Sequence, residues 1–243
     1  HRLAHSIPSG QGETNGVAFS PDGQHLAAAG DDGSVRIWDL RTERELVNIA
    51  AHDGLAFQVV YGPSGDVIAS CGEDRLVRLW NATDGRPLGS LNAHETNLET
   101  IAISPKGMVA AGDRSDWVSL WDLASGQSAA RPWHTDPVHS AVSSLAFSRT
   151  GKLAKGTVGG RLTIVTPDRS AVIHRRRLAN GIQSLAFFPG EEWLIVGDRA
   201  GYLQVLASED GSWDVEALRQ WKGCEGRVYS VEVTPDGNSI LSA

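Results

Sequence analysis

Apolar residues along this chain fall into short runs that never reach helical length. Runs such as "HLAAAG" at 25–30, "DVIASCG" at 66–72 and "WLIVGD" at 193–198 are continuous, whereas "SVRIWD" at 34–39, "LVRLWN" at 76–81 and "YLQVLA" at 202–207 alternate apolar and polar residues. Both patterns read as short β-strands. Each continuous run follows a turn marker: "VAFSPDG" ends at Gly23, "VVYGPSG" at Gly65, "IAISPKG" at Gly107, "LAFSRTG" at Gly151 and "VEVTPDG" at Gly237, with "LAFFPGE" and its Pro189 as a variant. Proline presets φ and glycine accepts positive φ, so these segments join antiparallel strands. Only "DVEALRQW" at 214–221 offers a helical pattern.

The markers recur with a fixed period. Trp38, Trp80 and Trp121 are 42 and 41 residues apart, and Val165 and Leu206 continue the series after 44 and 41. A period of about 40–45 residues holding about four strands is that of a propeller blade. The segments "VAFSPDG…GDDGSVRIWDL" and "AHDGLAFQVVYGPSGDVIASCGEDRLVRLWN" resemble WD40 repeats, and the resemblance extends over nearly the whole chain. It implies an all-β fold, a WD40 β-propeller of four-stranded antiparallel blades. The repeats fall at about 8–48, 49–90, 91–131, 132–175 and 176–220, with a partial repeat at 221–243 and residues 1–7 as the outer strand of another blade. Residues 1–243 then form a single, incomplete propeller domain belonging to a six- or seven-bladed ring.

Composition narrows the function classes. Of 243 residues, 41% are hydrophobic and 21% charged, as in ordinary core-bearing proteins. An excess of 29 acidic over 22 basic residues, net charge -7, opposes binding to phosphate backbones. The dense basic run "HRRRLA" at 174–179 has no interleaved aromatics; Arg175, Arg176 and Arg177 read as edge-strand charges, with RNA binding as the alternative. Cys71 and Cys224 have no CxxC spacing, which suits a reducing, cytoplasmic setting without a disulfide framework or a cysteine zinc site. His1, His5, His134, His139 and His174 lack metal-site spacing. No apolar run is long enough to span a bilayer, and "HRLAHSIPSG" has no signal core. Neither cofactor nor metal is implied, and no phosphate loop or nucleophile elbow is present.

The second repeat contains His52, Ser70, Asp74 and Trp80. The WD40 resemblance implies that these four form a hydrogen-bonded chain tying the loop between blades to the inner strands. Such a chain satisfies a buried indole N–H and a buried carboxylate, so the structural reading outweighs a catalytic triad. Other repeats keep parts of it. The first has Asp32 and Trp38, with Gly10 and Ala28 in the other slots; the third has His94 and Trp121, its aspartate slot falling on Asp116 or Ser115 according to the direction of counting. Later, Val138, Leu178 and Cys224 occupy the histidine slot, and Gly159 and Ala200 the aspartate slot. The expectation is that the later repeats lose the network as a whole, an aliphatic residue replacing the tryptophan.

Function then rests on loops and faces. The resemblance implies partner contacts at Glu13, Asn15, Asp31, Leu55, Phe57, Glu73, Asn97, Glu99, Arg114, Gln183, Arg199, Arg227 and Tyr229. The early repeats offer carboxylates beside the apolar pair Leu55 and Phe57, expected to be exposed, while the later ones offer Arg199, Arg227 and Tyr229. This points to a protein or peptide partner and to a non-catalytic interaction scaffold, the recognition part of a larger signalling assembly to which further domains of the same chain could belong. A propeller enzyme with a central-channel site is the less favoured alternative. The connection at 207–223, with Trp213 and Trp221, reads as rim packing or a docking element.

Overall fold

The computed structural model describes residues 6–10, 12–92, 94–134, 140–166, 172–208 and 219–243. Among the described residues there are 22 β-strands and no helix. The first sheet comprises β1 (Thr14–Phe19), β2 (His25–Gly30), β3 (Ser34–Asp39) and β4 (Arg44–Ala50). The second comprises β5 (Ala56–Tyr61), β6 (Val67–Gly72), β7 (Leu76–Asn81) and β8 (Pro87–Asn92). The third has β9 (Leu98–Ile103), β10 (Met108–Asp113), β11 (Val118–Asp122) and β12 (Ser128–Trp133). The fourth has β13 (Val142–Phe147), β14 (Leu153–Thr157), β15 (Arg161–Val165) and β16 (Val172–Arg177). The fifth has β17 (Ile182–Phe187), β18 (Trp193–Asp198), β19 (Tyr202–Ala207) and β20 (Arg219–Lys222), and a two-stranded sheet follows, β21 (Val231–Val233) with β22 (Ile240–Ser242).

In every sheet the strands neighbour one another in chain order. This is the build of a propeller blade. The outer strands of the five sheets end at residues 50, 92, 133, 177 and 222. Two readings change. Arg219–Trp221 of the expected helix lies in β20, where pairing with β19 overrides local propensity, while 214–218 fall outside the described residues. Ser6 and Ile7 are not in a strand, and residues 1–5 of the expected outer strand lie outside the described residues.

The chain divides into two compact units, His1–Ile101 and Ala102–Ala243. Within each, one sheet covers the next. Ala27, Ala29, Val35, Ile37, Val47 and Ile49 of the first sheet pack with Val59, Ile68 and Trp80 of the second. In the second unit, Ala110, Val118 and Leu120 of the third sheet pack with Leu145, Leu153 and Val165 of the fourth.

 Leu153 and Val165 form one cross-strand pair there. Ala154, Leu162 and Ile164 of the fourth sheet pack with Leu185, Leu194 and Leu206 of the fifth, whose Ile195, Leu203 and Val205 pack with Val228 and Val231.

Alternation along each strand produces this division of labour. Odd and even residues point to opposite faces, so where two sheets of a unit pack, the earlier sheet presents its trailing face and the later one its leading face. The slot held by Trp80, Val165 and Leu206 belongs to the leading face and lies beside Ile68, Leu153 and Leu194. An indole or an aliphatic side chain therefore serves the same purpose, filling the space between two sheets. Beside Val165, additional bulk comes from Trp133, which packs against the same cluster. Leu185→Ala is expected to cost about 2–5 kcal/mol, whereas Val17→Ala, at the equivalent but exposed position of the first sheet, should stay within about 0.5 kcal/mol. Denaturant unfolding of the two variants measures the difference.

Candidate functional site

The four residues singled out in the second repeat meet in the structure. His52 precedes β5, Ser70 lies on β6, Asp74 in the β6–β7 turn and Trp80 on β7. His52 Nδ1 is 2.8 Å from Asp74 Oδ1, and His52 Nε2 is 2.7 Å from Ser70 Oγ. Trp80 Nε1 donates to Ser70 Oγ at 3.0 Å. The Asp74 carboxylate also accepts the Leu76 N–H and two Arg78 N–H groups. One assignment of protons satisfies every member: the indole donates to Ser70, Ser70 donates to Nε2, and Nδ1–H donates to Asp74.

Burial lowers the His52 pKa below its ordinary 6.5 against the opposing pull of Asp74, so the ring is neutral at pH 7. Burial alone would raise the Asp74 carboxyl, but hydrogen bonds from His52, Arg78 and the Leu76 amide override it and hold the group below 3.8. The order Asp74–His52–Ser70 is that of a hydrolytic triad. However, Ser70 is completely buried and its oxygen already accepts the indole N–H, leaving no approach for a substrate.

The fourth and fifth repeats tie loop to turn with different residues, which corrects the expectation that the later ones lose their polar network outright. In the third and fifth sheets an aspartate stands two residues earlier, at the end of the second strand. Asp113 Oδ1 accepts the Ser115 and Trp117 amides, and Asp198 Oδ1 accepts those of Ala200 and Tyr202. The second Asp198 oxygen accepts from Asn180 Nδ2 at 2.8 Å, a loop-to-turn bond like that of His52 to Asp74. In the fourth repeat the Gly159 amide donates to Ser140 Oγ at 2.8 Å. These substitutes escaped the sequence reading because they lie outside the slots that the tetrad pattern inspects. Leu178 is buried in the apolar cluster and Cys224 is partly buried, while Val138 lies outside the described residues.

The uncertain aspartate of the third repeat is also settled. Asp116 has φ 71°, matching Arg75 at 68° and Gly33 at 75°, so Ser115 holds the slot before it. Asp116 instead pairs with Lys155, Nζ to Oδ1 2.6 Å, with both side chains fully buried. Lys155 also donates to the Asp116 carbonyl at 2.8 Å, and its Nζ lies 5.1 Å from the centre of the Trp133 ring. Lys155 occupies the position equivalent to Ser70 and reaches back to the preceding sheet.

The candidate contact residues lie on each unit's turns and inner-strand starts. In the first unit, Glu13, Asn15, Asp31 and Glu73 are exposed, and Leu55, Phe57, Asn97 and Glu99 are partly buried. In the second unit, Arg114, Arg227 and Tyr229 are exposed, and Gln183 and Arg199 are partly buried. Leu55 and Phe57 are thus less exposed than expected. Phe57 sits where the β5–β6 register shifts between Ala56 and Gln58, and such a bulge re-aims the side chain. The equivalent register shifts flank Asn15, Ser143 and Gln183.

These bulges also clamp one sheet to the next. Asn15 Nδ2 donates to the Ala56 carbonyl at 3.1 Å and to Asp31 at 2.8 Å, and Ser143 Oγ donates to the Ile182 carbonyl at 2.6 Å. One residue further on, Gln58, Ser144 and Ser184 accept the amides of Ile101, Leu185 and Val231. Asn15 is therefore part of the sheet contact as well as a surface residue. Arg175 and Arg177 are exposed on β16, an outer strand.

Charge is unequally divided. Residues 1–101 contain 14 acidic and 7 basic side chains, and residues 102–243 contain 15 of each, so the net -7 belongs to the first unit. In that unit a cleft of about 440 Å³ is lined by Asp74, Arg75, Leu76, Asn92, His94 and Glu95. Among the described residues no group of three or more His, Cys, Asp or Glu could hold a metal, and no helix is long and apolar enough to cross a membrane.

The family model for WD domain, G-beta repeat matches residues 3–39 and 44–81. The chain thus carries WD40 repeats, and its later four-stranded sheets share their build. No curated protein matches the chain.

The His52 network has a defined pH signature. Unfolded, the ring protonates near its ordinary 6.5; folded, it protonates lower, so stability is complete above that pH and falls as pH drops below it. Asp74 adds a second loss as pH falls below 3.8. Denaturant unfolding across pH should show the first decline in the natural protein and not in His52→Gln. At the buried ion pair, Lys155→Met alone is expected to cost about 3–5 kcal/mol by leaving Asp116 buried without its cation. Lys155→Met with Asp116→Asn should recover part of that loss in the same assay.

Proposed function

We propose that this protein is a non-catalytic interaction module that holds a protein or peptide partner within a larger signalling assembly. WD40 repeats generally mediate protein–protein interaction, and the repeats here are of that kind. The observation that carries the reading is in the first unit: Leu55 and Phe57, partly buried, accompany the exposed carboxylates of Glu13, Asp31, Asp53 and Glu73 on neighbouring turns. Apolar side chains among charged groups combine an anchor with electrostatic selection. The cleft beside Asp74 adds a recess that a partner side chain can enter.

The local frame supports presentation of this surface. Glu73 N–H donates to the Leu55 carbonyl at 2.9 Å, and Glu73 Oε2 accepts the Leu55 amide at 3.3 Å, so turn and loop hold each other. In the second unit, Arg114, Gln183, Arg199, Arg227 and Tyr229 provide further contacts under the same reading. Free Cys71 and Cys224 suit a reducing, cytoplasmic setting. Affinity capture with the natural domain, with Leu55→Ser/Phe57→Ser and with Glu13→Lys/Asp53→Lys should recover a partner with the first alone, at unchanged melting temperature for the charge variant. Equal recovery with all three would remove this surface from the function.

A further inference from the structure

The arginine run of the fourth sheet belongs to the second unit and takes no part in the loop surface at Leu55 and Phe57. It lies on β16, the edge strand of that sheet, next to β15. By register Arg175 stands opposite Thr163 and Arg177 opposite Arg161, so Arg161, Arg175 and Arg177 share one face, while Arg176, opposite Leu162, belongs to the other. Arg175 and Arg177 are exposed, and among the described residues neither side chain makes an ion pair or a hydrogen bond. Like charges directly opposite destabilise a sheet, so Arg161 facing Arg177 is a cost that folding alone does not explain.

Charge is one way to keep an open edge from aggregating. The other outer strands show that this fold does without arginines at these positions. On the outer strands of the first, second and fifth sheets the residues equivalent to Arg175 are Asn48, Ser90 and Gln220, all uncharged. Those equivalent to Arg177 are Ala50, Asn92 and Lys222, and Lys222 is already engaged by the Ala200 carbonyl at 2.6 Å and by the Tyr202 ring. β8, also an outer strand, has no charged residue at all.

We propose that the edge of β16 binds an acidic peptide as an added strand. Among the described residues no strand pairs with β16 on the side away from β15, so its main-chain groups there are open to an extended partner. Side chains on one face of a strand repeat at about 6.7 Å, every second residue. A peptide with Glu or Asp at alternate positions therefore sets one carboxylate beside Arg175 and the next beside Arg177, where it also offsets the repulsion from Arg161. Guanidinium and carboxylate match through two parallel N–H bonds. A nucleic-acid strand offers anions too, but β16 carries no aromatic side chain on which a base could stack, and an open main-chain edge is complementary to a peptide backbone. This surface and the loop surface of the first unit are independent, so either reading can fail without the other.

Fluorescence anisotropy tests the proposal with three labelled probes: a peptide alternating Glu and Thr, the same peptide with Gln for Glu, and a single-stranded RNA. The proteins are the natural chain and Arg175→Ser/Arg177→Asn, which copies the second sheet at these positions, and a thermal melt verifies that the variant folds. The Glu peptide should bind the natural chain with an affinity that falls as salt rises, and should bind the variant about tenfold more weakly or worse. The Gln peptide and the RNA should bind less tightly than the Glu peptide, and methylating the backbone amides of the Glu peptide should abolish its binding. The proposal is overturned by a natural chain that does not bind the Glu peptide, by a variant that binds it equally, by a Gln peptide that binds as well, by binding that survives amide methylation, or by RNA that binds more tightly.

Discussion

This fold depends on covering the apolar face of one four-stranded sheet with the neighbouring sheet of the same unit. An antiparallel sheet with an apolar face is stable only when another layer excludes water from it. Here the layer is the preceding sheet, which presents residues such as Ala27, Ala29, Val35 and Ile37 to Val59, Ile68 and Trp80. The contact requires volume at the tryptophan slot but not an indole, and Val165 and Leu206 meet the requirement at the same register. Variation at that slot therefore leaves the architecture intact.

Polar groups make these contacts specific in register. A slip of one residue would exchange the faces of a strand, and the bulge side chains oppose it by bonding to named backbone groups of the next sheet. Ser144 to the Leu185 amide and Ser184 to the Val231 amide are two such bonds. The loop-to-turn ties act within each repeat and tolerate wide chemical variation: a histidine–aspartate pair in one, Asn180–Asp198 in another. These two share a carboxylate whose oxygens are satisfied, which would otherwise be costly. Lys155 and Asp116 reach the same end by pairing across two sheets.

The rigid sheets leave the turns and inner-strand starts to vary. Asp31, Glu73, Arg114 and Arg199 each stand two positions before the residue of positive φ that closes a turn, namely Gly33, Arg75, Asp116 and Gly201. Their backbone setting is repeated while their charge is not. That arrangement lets one scaffold carry acidic turns in its first unit and basic ones in its second, a division that suits recognition by complementary charge.

The turn markers, the alternation and the period were legible in sequence because each arises from local backbone chemistry: proline and glycine at turns, and opposite-facing neighbours along a strand. They determine the all-β class, the repeat and the grouping of strands in fours. The His52–Ser70–Asp74–Trp80 set was also legible, since its spacing repeats a known pattern. Tertiary structure alone decided which aspartate serves each turn, because Asp113 and Asp198 act through backbone amides at positions that spacing does not mark. It decided that Lys155 lies buried opposite Asp116, a contact between residues on different sheets. It also decided which aliphatic residues are closed off, Val59 and Ile68 among them, because burial depends on which sheet lies opposite, and no local sequence pattern records that.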